Sequence, residues 1–196
     1  MYENAILKQV IARLEADSRV AEVLVTGTGS DEKTNTSYTT IKFLEYDTQG
    51  NPLPAKYFTF SGNIIQFQSL VIRFDDLHIR SADRFKGKSA YIFWKAFVLD
   101  KEKTQEFEIT QINQIPQGYK LVHETNPFEQ RLWREFWSYA LDPEKAQSRG
   151  IKNAQIEAPG VMFVPGYLYT IKIEHDGGLR IDAAALSPVL RGESIP

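Results

Sequence analysis

Apolar and polar side chains alternate with a period of two from residue 38 onward, and this pattern constrains the fold more than any other feature. Ile41 and Phe43 fall on one face of a predicted strand, and Lys42 falls on the other. Turn sequences rich in Asp, Gly and Asn interrupt the alternation twice. The pattern predicts an antiparallel meander with strands near 38–46, 56–60 and 64–74.

Further strands are predicted before and after this meander. The β-branched run VAEVLVT predicts a strand, and the polar stretch that follows it predicts a flexible loop. The segment SAYIFWKAFVLD is apolar on both sides, which is typical of a strand at the centre of a sheet or between two layers. These strands are predicted at 20–26, 89–100, 106–112, 167–175 and 179–182, and the loop at 26–37.

Two helical regions flank the strand-rich part. In residues 3–17, Leu7, Ile11 and Leu14 form one apolar stripe at helical spacing, and Ile6 and Val10 widen it. This helix is either packed on the domain or the end of a longer helical spacer, and the sequence alone leaves both readings open. A second helix is predicted at 127–141, where an Asn-Pro start signal precedes an aromatic stripe that must be buried. A short third helix is predicted to start at Asp142 and Pro143.

These elements together predict an α+β fold. Its core would be a mainly antiparallel β-sheet, curved or two-layered, with an N-terminal helix and a helical insertion near 127–149. With 196 residues and no linker-like segment, the chain has the size of one ordinary domain. We assign the N-terminal helix to residues 1–18 and a single β-rich domain to residues 19–196.

Composition excludes several classes of function. The chain has 25 acidic and 23 basic residues, and a net charge of -2 provides no global field to attract nucleic acid. It has no Cys, so zinc-thiolate sites, iron–sulfur clusters and a cysteine nucleophile are excluded. No apolar run is long enough to span a bilayer, so direct membrane insertion of these residues is not expected. No cofactor is predicted.

One polar turn contains residue types that suit catalysis or cation binding. Asp75, Asp76, His78 and Asp83 follow the third strand of the predicted meander. Carboxylates beside an imidazole can bind a hard cation or form an acid/base pair. The alternative is a solvated loop in which the carboxylates pair with neighbouring basic side chains. Because the spacing does not match a calcium loop, no metal site is assigned.

Trp94 is the one aromatic residue that we single out as a candidate for ligand binding. An exposed aromatic face is a common platform for sugars and other flat ligands. The alternative is that Trp94 is a core residue of the strand at 89–100.

Several stretches together resemble a family of uncharacterised bacterial proteins. They are TTIKFLEYDTQGNPLPAKYFTF at 39–60, LVIRFDD at 70–76, KGKSAYIFWKAF at 86–97 and FEQRLWREFW at 128–137. The resemblance implies a β-rich domain that is often preceded by a membrane-anchoring helix and a helical spacer. It also implies a place at the bacterial envelope, outside the cytoplasm, and a homo-oligomer formed through the N-terminal helix of a longer parent chain. No activity is implied.

Two functions are therefore carried forward. We expect a non-catalytic binding, sensory or structural domain of the bacterial envelope, because no acid/base or metal set is complete by spacing. The alternative is a metal-assisted or acid/base hydrolase that uses Asp75, Asp76, His78 and Asp83. Whether the protein is an enzyme, and what its partners are, is left open by the sequence.

Overall fold

A computed structural model describes residues 2–74, 84–99, 103–121, 126–148, 152–157 and 160–191. Within these residues three helices accompany ten strands. In chain order they are α1 (Tyr2–Arg13), β1 (Arg19–Asp31), β2 (Thr36–Glu45), β3 (Lys56–Ser61), β4 (Ile64–Arg73), β5 (Ser89–Val98), β6 (Gln105–Glu108), α2 (Pro127–Leu141), α3 (Pro143–Ser148), β7 (Lys152–Glu157), β8 (Val161–Met162), β9 (Tyr167–Ile173) and β10 (Leu179–Ala185).

The strands form two antiparallel sheets. The outer sheet has the order β10-β9-β1-β2-β3, and the inner sheet has the order β6-β5-β4-β7, with β8 pairing to the start of β4. Every strand pair is antiparallel. The predicted α+β fold, with a two-layered antiparallel sheet, an N-terminal helix and a helical insertion, is confirmed.

The inner sheet is the middle of three layers. Its residues Phe67 and Phe93 pack against the outer sheet in one cluster, which we call the inter-sheet core. Leu70 and Ile92 point the opposite way and pack against α1 and α2 in a second cluster, the helix-side core. Both faces of β4 and β5 are therefore removed from water, which explains why the sequence of β5 is apolar on both sides.

The predicted meander is wrong at its second turn. β2 and β3 form the expected hairpin, but β4 leaves β3 and joins the inner sheet. Gly62, with a φ of +73°, lies in the turn that carries the chain from one sheet to the other. Alternation identifies the faces of a strand but not its neighbours, and the apolar character of β4 on both faces requires a place in the middle layer.

The polar stretch at 26–37 is not the flexible loop that its composition predicts. It forms the paired ends of β1 and β2, joined by a turn at 32–35. β1 and β2 continue as an antiparallel pair from Gly27 opposite Thr40 to Asp31 opposite Thr36. Thr26 is the extra residue of a β-bulge at the base of this extension. Most side chains beyond the bulge are exposed and Thr39 is buried, so strand pairing here depends mainly on backbone hydrogen bonds and β-branched residues.

Helix α1 docks on the helix-side core. Leu7, Val10 and Leu14 are buried there, and Ile6 and Ile11 of the predicted stripe pack against the same core partly buried. At its first turn the helix also forms an exposed ion pair with α2, in which Glu3 and Arg131 have 3.1 Å between the charged atoms. These contacts are those of a helix packed on the domain. A longer helix in a parent chain stays a prediction.

The start of α2 is capped by Asn126, as the sequence predicts. Its Oδ1 accepts hydrogen bonds from the backbone N–H of Phe128 and of Glu129, at 2.8 and 3.4 Å. The Glu129 carboxylate does not complete the reciprocal capping box, because it accepts the N–H of Leu121 at 3.2 Å instead. Glu129 thereby joins α2 to the segment before it, and burial raises the pKa of its carboxyl above the ordinary value.

A raised pKa on a buried carboxyl gives a testable pH dependence. Because the folded state holds the Glu129 proton more tightly than the unfolded chain, its contribution to stability is present at acid pH and is lost as the pH rises through the folded-state pKa. We expect Glu129→Gln, which keeps an acceptor for Leu121, to be at least as stable as the parent at neutral pH and to lose this advantage at acid pH. Urea unfolding from about pH 4 to about pH 8 measures the difference. A constant difference across that range would contradict the assignment.

Candidate functional site

A cleft of about 850 Å³ lies among the described residues. The outer sheet contributes Phe43 and Glu45 of β2 and the segment that leads into β3. The opposite wall comes from the end of β6 and the residues after it, and α2 closes one side with Gln130 and Arg134. The cleft therefore lies where the two sheets and the helix layer meet, a common place for a ligand.

A buried ion pair lies directly beneath the surface of this cleft. The Arg19 Nη2 atom donates hydrogen bonds to Glu45 Oε1 at 2.5 Å and to the carbonyl oxygen of Tyr46 at 2.6 Å. Only 2% of Arg19 is exposed, whereas the Glu45 side chain keeps 12% of its surface exposed and lines the cleft. Glu45 thus connects the buried arginine to the ligand-accessible space.

The surroundings of Arg19 hold its guanidinium in one position. Its central carbon lies 4.9 Å from the ring centroid of Tyr119, a cation–π contact. The Tyr119 hydroxyl in turn accepts the backbone N–H of Tyr91 at 2.8 Å. A Cβ on Gly118 would collide with the Arg19 guanidinium, so this position requires glycine for close approach. Arg19 Nε is buried and has no hydrogen-bond partner among the described residues.

The pKa of the Glu45 carboxyl reflects these opposing influences. Burial is the largest effect and raises its pKa, while the positive charges of Arg19 and Lys56 lower it by less. The net result is a pKa above the ordinary value of a glutamate. A perturbed carboxyl that lines a cleft marks a functional-site candidate, although ion pairs within a structural network perturb pKa values as well.

Amide side chains make up a large share of the polar lining. Gln117 and Gln130 are joined by three more amides on the segment that follows β6, namely Gln111, Asn113 and Gln114. Each amide carries both a donor and an acceptor, so together they can match hydroxyl and amide groups of a ligand.

The segment that follows β6 is held by specific hydrogen bonds. The backbone N–H groups of Ile109 and Thr110 both donate to the carbonyl oxygen of Trp94, at 3.0 Å. Further along, the indole Nε1 of Trp137 donates to the carbonyl oxygen of Gln114 at 2.7 Å. These contacts anchor one wall of the cleft to the inner sheet and to α2.

A smaller cleft of about 420 Å³ lies beside the exposed β1–β2 ribbon. It is lined by short side chains and backbone around Gly29 and Tyr38, with Phe163 on the other side. Its lining has no charged side chain, so the larger cleft offers more chemical discrimination.

Asp75, Asp76, His78 and Asp83 lie outside the described residues. Their role in catalysis or metal binding therefore stays a prediction. Within the described part of the chain, no group of three His, Asp or Glu side chains is arranged to hold a metal ion.

Trp94 occupies a β-bulge in β5. The register with β4 passes from Gln68 opposite Lys95 to Ser69 opposite Phe93, so Trp94 has no residue opposite it. Its half-buried ring packs on the helix-side core, with Lys95 Nζ 5.0 Å from the ring centroid. Trp94 lines neither of the two clefts. A role in ligand binding stays a prediction.

We expect Trp94→Ala to lower the free energy of unfolding by about 2 kcal/mol, because a partly buried indole loses its packing against the helices. Binding in the larger cleft should be little affected. Chemical denaturation measures the first effect, and titration of the variant with a cleft ligand measures the second. A variant that kept full stability but lost binding would identify Trp94 as a ligand platform.

Sequence reasoning missed Arg19 and Glu45, although a signal was present. Arg19 lies on the same face of β1 as the buried residues Ala21 and Val23. Glu45 lies on the same face of β2 as the buried Phe43. Opposite charges at inward positions of two strands are unusual and indicate a buried pair. The pairing of β1 with β2 was needed to place them together.

Comparisons with protein-family models, with curated proteins and with solved structures found no match. Across the described residues, no helix combines the length and apolar character that crossing a bilayer requires.

Proposed function

We propose that this chain is a non-catalytic binding domain that takes a small polar ligand in the larger cleft. The observation that carries the proposal is the cleft itself, about 850 Å³ in volume, at the junction of both sheets and α2. A volume of this order is typical of small-molecule sites.

The chemistry of the lining supports binding more than catalysis. Five amides offer hydrogen bonds to a ligand, whereas the lining residues that the structure describes include no His, Ser or Asp, and their carboxylates are Glu45 and Glu108. Glu45 is the perturbed carboxyl of the cleft, but Arg19 already occupies one of its oxygens. The Thr110 hydroxyl donates to the carbonyl oxygen of Phe93 at 2.7 Å and is likewise engaged.

A hydrolase that uses Asp75, Asp76, His78 and Asp83 is the alternative function. Metal-dependent thermal stabilisation that disappears in Asp76→Ala would favour it over a binding domain. Stabilisation by an organic ligand without added metal would favour the cleft.

We also propose that the domain works at the bacterial envelope. The sequence resemblance supports this location, and the sensory or structural role and the oligomer that it implies rest on the same basis. Protease accessibility of the protein in cells whose outer layers have been removed would test it. Complete protection until the cytoplasmic membrane is lysed would contradict an extracytoplasmic location.

A ligand screen combined with a blocked cleft tests the proposed function. We expect at least one class among sugars, sugar acids, amino acids and nucleotides to raise the melting temperature of the chain. Gln130→Trp and Gln117→Trp each place a large ring in the cleft, from α2 and from the opposite wall respectively. Both should abolish the ligand-dependent rise in melting temperature.

Arg131→Trp is the matched control, because Arg131 lies next to Gln130 on α2 but is exposed and does not line the cleft. It should leave the ligand effect unchanged. A ligand effect that survives in both blocked variants would place the binding site elsewhere and overturn the proposal.

A further inference from the structure

Three basic side chains from separate parts of the fold line the larger cleft. Lys56 is the first residue of β3, Lys120 follows the short 3-10 turn at Gln117–Tyr119, and Arg134 lies on α2. They are distant in sequence, so the fold and not a local run of basic residues brings them to one space.

Within the described part of the chain the three cations have no carboxylate in direct contact, and Lys56 and Lys120 act only at longer range on Glu45 and Glu129, whose pKa values they lower. Among the described residues, Lys56, Lys120 and Arg134 form no ion pair and no side-chain hydrogen bond. Other basic residues of the chain do find partners, since Lys88 pairs with Glu15 at 3.1 Å and Lys95 pairs with Glu106 at 3.0 Å.

The carboxylates of the lining do not cancel this charge. Among the described lining residues the acidic ones are Glu45 and Glu108, and Glu45 is compensated by the buried Arg19. The whole chain has a net charge of -2, so the cleft concentrates positive charge on a molecule whose remainder is acidic. A concave site with an excess of one sign of charge focuses the potential and favours a ligand of the opposite sign.

We infer that the ligand of this cleft carries an oxyanion group, a carboxylate or a phosphate, on a body rich in hydroxyl or amide groups. The inference rests on the proposed function and names the ligand class. Lys56, Lys120 and Arg134 bind the oxyanion, and Arg134 can do so with two parallel N–H donors. The amides of Gln111, Gln114 and Gln130 contact the polar body.

Three sugar probes that differ in charge test whether binding in the cleft requires an oxyanion group or only a sugar body. Glucuronate carries a carboxylate, glucose 6-phosphate carries a phosphate, and glucose carries neither. We expect both acids, or one of them, to shift the backbone and side-chain amide resonances of cleft residues in a titration of isotope-labelled protein, with glucose at least roughly ten-fold weaker. Affinity for the acids should fall as salt is added. The acid that binds more tightly identifies the carboxylate or the phosphate as the recognised group.

Single charge removals test the three cations. Lys56→Gln and Arg134→Gln should each weaken the binding of the tighter acid roughly ten-fold, because a charge-assisted hydrogen bond is lost. Arg131→Gln removes the same charge from α2 outside the cleft and should have little effect. Melting curves of all variants show whether each one is folded, and Lys120→Gln replaces any that is not.

The outcomes separate this inference from the proposed function. If glucose binds in the cleft as tightly as the two acids, the binding domain stands and the oxyanion inference is overturned. It is also overturned if the acids shift only resonances outside the cleft, or if Arg131→Gln weakens binding as much as Arg134→Gln. If none of the three probes shifts cleft resonances while another compound from the ligand screen does so without carrying an oxyanion, the inference again fails and the site remains.

Discussion

Deleting residues 1–17 is expected to lower the free energy of unfolding by about 5 kcal/mol or more. Leu7, Val10 and Leu14 are buried in the helix-side core, and each fully buried aliphatic side chain contributes about 1.5 to 3 kcal/mol. Such a loss approaches the whole stability of many domains, which is about 5 to 15 kcal/mol. The shortened chain should therefore melt far below the complete one or fail to fold.

Point variants of the complete chain provide the matched comparison. Leu7→Ala and Leu14→Ala should each cost about 2 to 5 kcal/mol, whereas Lys8→Ala on the exposed face of α1 should change stability by less than about 0.5 kcal/mol. Chemical denaturation of the three variants gives these differences. If the shortened chain kept the melting temperature of the complete one, α1 would be a spacer and not a part of the core.

Breaking the buried ion pair should have the next largest effect. We expect Arg19→Met to cost about 3 to 5 kcal/mol, because the Glu45 carboxylate would remain largely buried without its partner. Glu45→Met should have a comparable cost, since the Arg19 charge is even more deeply buried. The double variant should be more stable than the sum of the two losses predicts, because neither charge is then left alone.

Gly118→Ala provides an independent check of the same site. Its Cβ would collide with the Arg19 guanidinium, so the substitution should be strongly destabilising in the parent chain. In the Arg19→Met background the rigid, charged group is gone, and the cost of Gly118→Ala should be smaller. Urea unfolding of the complete set of variants measures both couplings. Strictly additive losses would mean that Arg19, Glu45 and Gly118 do not act as one unit.

The sequence predicted the elements of this fold better than their arrangement. Helix α2 is found at the predicted residues 127–141, because its start signal and aromatic stripe are local features. The separation of β3 from β4 into different sheets could not be predicted, since alternation carries no information about the neighbouring strand. β7 was missed altogether, and its pairing with β4 depends on contacts that are remote in sequence.

The cleft could not be predicted from the sequence either, because it too depends on contacts between residues that are remote in sequence. Its walls come from β2, the segment after β6 and α2, which meet only after the sheets have stacked. The basic residues Lys56, Lys120 and Arg134 have unremarkable local sequences, and only their shared space distinguishes them. The polar cluster at 75–83 was conspicuous because its residues are adjacent in sequence, a property that says nothing about convergence in space.

The position of β1 in the outer sheet has a consequence for how the chain folds during synthesis. β1 begins at Arg19 but pairs on one side with β9, so that Arg19 lies opposite Ile173. During synthesis, one edge of β1 therefore has no strand to pair with until nearly all of the domain has left the ribosome. Apolar side chains of β1 such as Val23 stay exposed for the same time. Contacts between residues so distant in sequence slow folding, and they prolong the exposure of unpaired strand edges, which are prone to aggregate. We therefore expect premature termination anywhere before β9 to yield an aggregating product.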